Sequence, residues 1–174
     1  MIRDARPDDA RAIALVHIRS WQQAYRELLP GDYLKALDST LTQREALWRQ
    51  SINDRTQQVF VAVADEQIIG WISCGASRDD DAEQGITGEV SAVYVLAEYW
   101  GTGVGRELWL EAVAYLCAVG FGAVTLWVLV DNLRAIHFYR NAGLDPDLGS
   151  QRSIMRGGRA LAEIRYRKPL EPIC

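Results

Sequence analysis

The chain reads as α/β, an α+β mixture in which a mixed, twisted sheet of about six to seven strands is flanked by about four helices. Two observations predict this. Apolar positions alternate in some segments and recur with helical period in others, in the order β-α-α-β-β-β-α-β-α-β-β. The middle of that order is strand, long helix, strand, which suits a crossover between parallel neighbours. The 174 residues, 49% of them hydrophobic, suffice for one sizeable core and fit a single domain over 1–174.

Residues 2–6 read as a short strand, after which Pro7-Asp8-Asp9 starts a helix. From Ala10 onward, Ile13, Ala14, His17, Trp21, Ala24, Tyr25 and Leu28 share one face, until Leu29-Pro30-Gly31 breaks the helix. Thr42-x-x-Glu45 has capping-box spacing and opens a helix to about Ile52, with Ala46, Leu47 and Gln50 on one side. Val59–Ala64 and Gln67–Gly75 form a hairpin around Asp65-Glu66. The polar stretch Arg78–Gly88 is a loop whose charges are expected to be solvated, although acids at 79–83 could attract a cation. Glu89–Leu96 is a strand, and a helix then runs to about Val119, where Gly120-Phe121-Gly122 stops it. Ala123–Val130 is a buried strand, and Asn132 opens a short helix ending at Gly143. The tail is a hairpin, Gln151–Ile154 and Ala162–Arg167, turning at Met155-Arg156-Gly157-Gly158.

Composition excludes several classes. A net charge of -4 argues against general nucleic-acid binding. Charges at Arg3, Asp4, Arg6, Asp8, Asp9, Arg11 and Arg19 rule out a signal-peptide core, and no apolar run reaches membrane length. Cys74, Cys117 and Cys174 form neither a disulfide framework nor, with His17 and His137, a metal pattern. A reduced, cytoplasmic setting without metal, membrane or nucleic acid is expected.

The densest information lies in Tyr99-Trp100-Gly101-Thr102-Gly103-Val104-Gly105-Arg106, between a strand and a long amphipathic helix. Glycines at every second position leave backbone N–H groups bare where the helix begins, and the positive end of its dipole favours an anion. Arg106 adds a cation in the first turn. The dinucleotide fingerprint fails, because Arg106 takes the third glycine position and no acid precedes Asp131 on the next strand. The Walker string is absent. A phosphate-bearing coenzyme is the reading, against a plain tight turn.

Asn132 and Tyr139 lie seven residues apart on the helix after the buried strand and share a face. Tyr139, protonated at neutral pH with an ordinary pKa near 10, suits proton donation as well as core packing. Asn132 fits a helix cap or a ligand contact. Glu89, at the start of its strand, is either a solvated end or a proton acceptor. Trp21, Tyr25 and Cys117 read as core, His17 as a satisfied, half-buried histidine, and His137 as surface.

These residues resemble the GNAT superfamily of acyl-coenzyme A-dependent N-acetyltransferases over nearly the full length. Val93-Tyr94-Val95 with Glu98 to Arg106 is similar to that family's central strand and pyrophosphate motif, [RQ]-x-x-G-x-[GA], with Trp100 standing where Arg or Gln is usual. Leu126-Trp127-Val128, Asn132 and His137 to Leu144 resemble its second block. The resemblance implies a single N-acetyltransferase domain using acetyl-coenzyme A, with no metal. It implies that Val93, Tyr94 and Val95 pair with the pantetheine arm, and that Gly101, Thr102, Gly103, Val104, Gly105 and Arg106 hold the pyrophosphate. It further implies that Asn132 touches the coenzyme, that Tyr139 is the general acid, and that Glu89 is a general base. An amide of Val93 or Val95 would stabilise the oxyanion. Trp21, Tyr25 and Tyr33, together with the tail hairpin, would line the pocket of a small-molecule amine that attacks the thioester directly in a ternary complex, and a homodimer would suit the family. A non-catalytic acyl-coenzyme A sensor is the alternative, and a dinucleotide-dependent oxidoreductase a third.

Overall fold

The N-terminal half of the sheet is built by a tight hairpin whose turn residues, Asp65 and Glu66, both hold positive φ (48° and 61°). Such a pair gives a two-residue turn that matches strand twist. In the computed structural model, which describes residues 1–83 and 85–171, this hairpin joins β2 (Gln58–Ala64) to β3 (Gln67–Ala76). The remaining elements are β1 (Ile2–Asp4), α1 (Ala10–Ala24), α2 (Gly31–Ala36), α3 (Leu41–Asn53), β4 (Thr87–Val95) and α4 (Val104–Ala118). They continue with β5 (Ala123–Leu129), α5 (Leu133–Asn141), β6 (Asp145–Pro146), β7 (Arg152–Arg156) and β8 (Arg159–Pro169). Cys174 lies outside the described residues.

One sheet runs β1-β2-β3-β4-β5-β8-β6, with β7 paired on β8; only β4 and β5 are parallel. The expected mixed sheet with a central crossover through α4 is therefore observed. Its two faces are apolar for different partners. Ile72, Val90, Leu126 and Tyr166 pack with Leu108, Ala112 and Leu116 of α4. On the other face Val59, Val61 and Trp71 pack with Ile13 and Val16 of α1 and with Trp48 of α3. A third cluster joins Ile18, Leu29, Leu34 and Leu37 to Leu161 and Ile154 of the tail hairpin.

Several expectations need correction. The break at Leu29-Pro30-Gly31 separates two helices: α1 ends at Ala24, and Pro30 stands at the N-cap of the short α2. Thr42 lies inside α3 and does not cap it, while Glu45 bonds Arg11 and Arg49. The inner face of α3 is Trp48 and Ile52; Leu47 is 59% exposed. The period was helical, but its phase was set by Trp71, whose ring centre lies 4.6 Å from that of Trp48. The tail turn is tighter than expected, with Gly157 and Gly158 both at positive φ and β8 starting at Arg159.

Candidate active site

The sheet opens between its two parallel strands. β4 and β5 pair only at Thr87–Glu89 with Ala123–Thr125; beyond this β4 follows β3 and β5 follows β8. Ser91 is the extra residue of a bulge opposite β3, which bends β4 at the point of separation. The amide of Leu96 donates to Ile69 on β3 at 2.9 Å, so by alternation Tyr94 and Ala92 also turn their backbones to β3. Val93 and Val95 then present N–H and C=O to the gap. The Val95 carbonyl accepts there from Trp100 Nε1 at 2.8 Å. A cleft of about 640 Å³ fills this gap.

At one end of the cleft the chain leaves β4 and enters α4 through Gly101 and Gly103, with φ of 76° and 94°. Side chains are strained in that region. A Cβ at either position would meet nothing within 4 Å, so the space above the turn is open. Among the described residues, the amides of Gly101, Gly103, Val104, Gly105 and Arg106 have no protein acceptor, and Glu107 makes the first helical bond, to Gly103. The turn thus fits a pyrophosphate by bare N–H groups and helix dipole. Thr102 differs: its amide and hydroxyl both reach the Tyr99 carbonyl, at 3.4 and 2.7 Å, and close the turn. Neither Thr102 nor Val104 lines the cleft; Val104 packs on the core.

Across the gap, Asn132 caps α5, its Oδ1 accepting from the Ala135 amide at 3.2 Å, and also lines the cleft. Tyr139 is 8% exposed and packs against Trp109 and Phe138. Among the described residues no protein group hydrogen-bonds its hydroxyl. Burial, and then the nearby Tyr25, push its pKa above the ordinary value. Tyr94 is shifted upward for the same first reason, and its hydroxyl accepts from Trp21 Nε1 at 2.7 Å.

The other end is built by α1, β5 and the tail hairpin. Glu89 is buried and held by Arg78 through the Arg78 amide at 3.0 Å and its Nε and Nη2 at 3.2 and 2.7 Å. Asp79 and Asp81 are not simply solvated: Arg165 reaches them at 3.1 and 2.6 Å, and Trp127 Nε1 bonds Asp79 at 3.0 Å. Two of the acids suggested to attract a cationic acceptor are thus ion-paired, and none of the described acids of that loop lines the cleft. His17 lies between Tyr94 (4.9 Å, stacked) and Trp71 (5.5 Å). Its Nδ1 is buried with no partner among the described residues, so it is not the satisfied histidine expected. Burial, with Arg44 nearby, lowers its pKa to about 3.

The structure brings Glu89, Val93, Tyr94, Val95, Gly101, Gly103, Gly105, Arg106, Asn132, Tyr139, Trp21 and Tyr25 to one cleft. Tyr33 is not in that lining; its ring packs where a Cβ on Gly157 would sit, within 2.6 Å. Trp127, Arg134, Arg152 and Glu163 also line it; sequence reasoning named none of them as a site residue, although Arg152 and Glu163 belong to the tail hairpin expected to help build the acceptor pocket. For Trp127 a signal existed: Leu126 and Val128 point to the core, so the residue between them faces the other way.

An opened sheet whose central strand feeds a glycine turn defines a ligand-binding α/β fold with a cradle for an anion, and the comparisons give its family. Residues 18–144 match the profile of the Acetyltransferase (GNAT) family. The chain belongs to that family and is an acyltransferase. It is 33% identical over 140 residues to the uncharacterised N-acetyltransferase YuaI of Bacillus subtilis strain 168, covering 80% of this chain and 76% of that one. The mycothiol acetyltransferase of Rhodococcus erythropolis is 35% identical over 111 residues, 56% of this chain but 36% of that longer protein. Among solved structures, the PaiA N-acetyltransferase of Thermoplasma acidophilum, in complex with coenzyme A, superposes with TM-score 0.75 at 20% identity, covering 97% and 98% of the chains. YncA of Salmonella typhimurium, solved with acetyl-coenzyme A, gives 0.71 at 20%, covering 100% and 95%.

Proposed function

We propose that the chain transfers an acetyl group from acetyl-coenzyme A to the primary amine of a small acceptor, by direct attack in a ternary complex. The observation that carries this is one continuous path: the free Val93 and Val95 backbone edge runs into the bare N–H groups of the glycine turn, with the Tyr139 hydroxyl in the same cleft. Bound acetyl-coenzyme A supplies an activated acetyl thioester. The structural neighbours carrying coenzyme A or acetyl-coenzyme A support the same ligand here.

The chain's own groups then divide the work. Val93 and Val95 offer edge hydrogen bonds to the pantetheine arm. Amides from Gly101, Gly103, Val104, Gly105 and Arg106 hold the pyrophosphate, and Arg134 supplies the side-chain cation that Trp100 does not. Tyr139 holds its proton at neutral pH and delivers it to the departing sulfur. Glu89 accepts a proton only once Arg78 swings away; with Arg78 bound, it anchors the loop before β4. Trp21 and Tyr25 form the apolar wall for the acceptor. We place the whole of 1–174 in this single catalytic unit.

The engagement of Glu89 by Arg78 is the observation that favours a sensor without turnover. Thiol release from acetyl-coenzyme A across a panel of primary amines separates the two. Turnover supports the transferase, whereas calorimetric binding with no thiol release for any amine makes the chain a sensor.

A further inference from the structure

The acceptor end of the cleft is basic in a chain whose net charge is -4. Arg78, Arg152 and Arg156 line it, against Glu89 and Glu163. Both carboxylates are already engaged, Glu89 by Arg78 at 2.7 Å and Glu163 by Arg152 Nε at 2.6 Å. Arg152 is further fixed with its guanidinium 3.6 Å from the centre of the Trp127 ring. Arg156 is different. It ends β7, shares a strand face with Arg152 and Ile154, and among the described residues donates only to the Met155 carbonyl at 2.9 Å. Two acids are thus paired; of the cleft's guanidiniums without a carboxylate among the described residues, Arg106 and Arg134 belong to the glycine-turn end, which leaves Arg156 at this one. Asp79 and Asp81 do not line the cleft; both pair with Arg165, which also holds Asp147, and Asp79 lies 3.9 Å from Arg152 as well.

From this arrangement we infer that the acceptor is a primary amine that carries a carboxylate, an amino acid or a peptide-like molecule, and that Arg156 binds that carboxylate. The inference rests on the acetyl-transfer reading and names its substrate class. A guanidinium fork accepts a carboxylate through two parallel N–H bonds, and one unpaired cation matches one negative charge. The apolar remainder of the acceptor lies against Trp21 and Tyr25. A polyamine would place its second cation among arginines, where the two acids that line the cleft, Glu89 and Glu163, are already paired, and is disfavoured by repulsion.

The test compares acceptors that differ only in the carboxylate: phenylalanine with phenethylamine and tryptophan with tryptamine, plus spermidine, at saturating acetyl-coenzyme A. The carboxylated member of each pair should have the higher kcat/KM by about tenfold or more, the effect of one charge-assisted contact. Arg156→Ala should shrink that ratio by about tenfold, chiefly through KM, and Arg156→Lys should restore part of it. Arg156 is exposed, so these variants keep the fold, which circular dichroism verifies. Preference for spermidine or the decarboxylated amines, or a ratio that Arg156→Ala leaves unchanged, overturns the inference while the acetyltransferase reading stands. Binding of acetyl-coenzyme A without turnover of any amine overturns both.

Discussion

The guanidinium of Arg134 lies 3.2 Å from the centre of the Trp100 ring, so the first turn of α5 touches the glycine turn across the mouth of the cleft. Trp100 is itself tied down by its Nε1 bond to the Val95 carbonyl. The aromatic residue therefore replaces a cation at its own position while holding one from the opposite limb. A cation–π contact of this kind is worth about 0.5–2 kcal/mol. Arg134→Ala should raise the Kd for acetyl-coenzyme A about tenfold, with the steeper salt dependence of the wild type lost. Isothermal calorimetry at two salt concentrations measures this, and equal affinities in the two proteins would remove Arg134 from the phosphate site.

Gly103 makes a cleaner test of the cradle. Its φ of 94° strains any side chain, yet a Cβ there meets no atom within 4 Å. Gly103→Ala should therefore fold at a cost of about 1–2 kcal/mol, since only the backbone conformation resists. Coenzyme binding should fall by tenfold or more, as the turn relaxes and its N–H groups lose alignment. Gly31, also with open space but without positive φ, is the control, and Gly31→Ala should leave affinity unaltered. Matching affinity in Gly103→Ala and Gly31→Ala would argue that the turn is structural only.

Tyr139 is held protonated by its own burial. A thiol is already a fair leaving group, so Tyr139→Phe should lower kcat by about 10–100-fold rather than abolish it, with Kd for acetyl-coenzyme A little changed. The direction of the pKa shift adds a second readout. Because the shift is upward from 10, kcat should show no fall assignable to tyrosine ionisation below that pH. A stopped thiol-release assay across pH, with wild type and Tyr139→Phe, reads both, and an unchanged kcat in the variant would sink the acid role.

How far the sequence revealed this site depended on how local its signals were. The glycine turn, the Asn132 cap and the β2–β3 hairpin are set within a few residues, and each was legible. The face of α3 was not, because Trp48 is turned inward by Trp71, a residue far away in sequence. The loop acids were unreadable for the same reason: Asp79 finds Arg165 across 86 positions and Trp127 across 48. Tyr33 looked like a pocket aromatic until the Gly157 turn, closing over its ring, gave it a packing role. Charges and aromatics declare their type in the sequence, but their partners come only with topology.

His17 supplies a prediction of that kind about stability. Burial keeps it neutral in the folded state, with a pKa of about 3, whereas an unfolded histidine titrates near 6.5. Between those values the unfolded chain takes up a proton that the folded chain refuses. Stability is therefore intact above pH 6.5 and declines as pH falls toward 3. By pH 5 the loss from this one group should reach about 2 kcal/mol. His17→Phe keeps an aromatic ring for stacking on Tyr94 and removes both the titration and the unpartnered Nδ1. Removing an orphaned polar atom costs little, so the variant should equal or exceed the wild type at pH 7.5. Urea unfolding at pH 7.5, 6 and 5 should show the two proteins diverging as pH drops, with the variant the more stable at pH 5. Parallel decline in both would mean that other groups control the acid response and that His17 is charged or solvated in the folded protein.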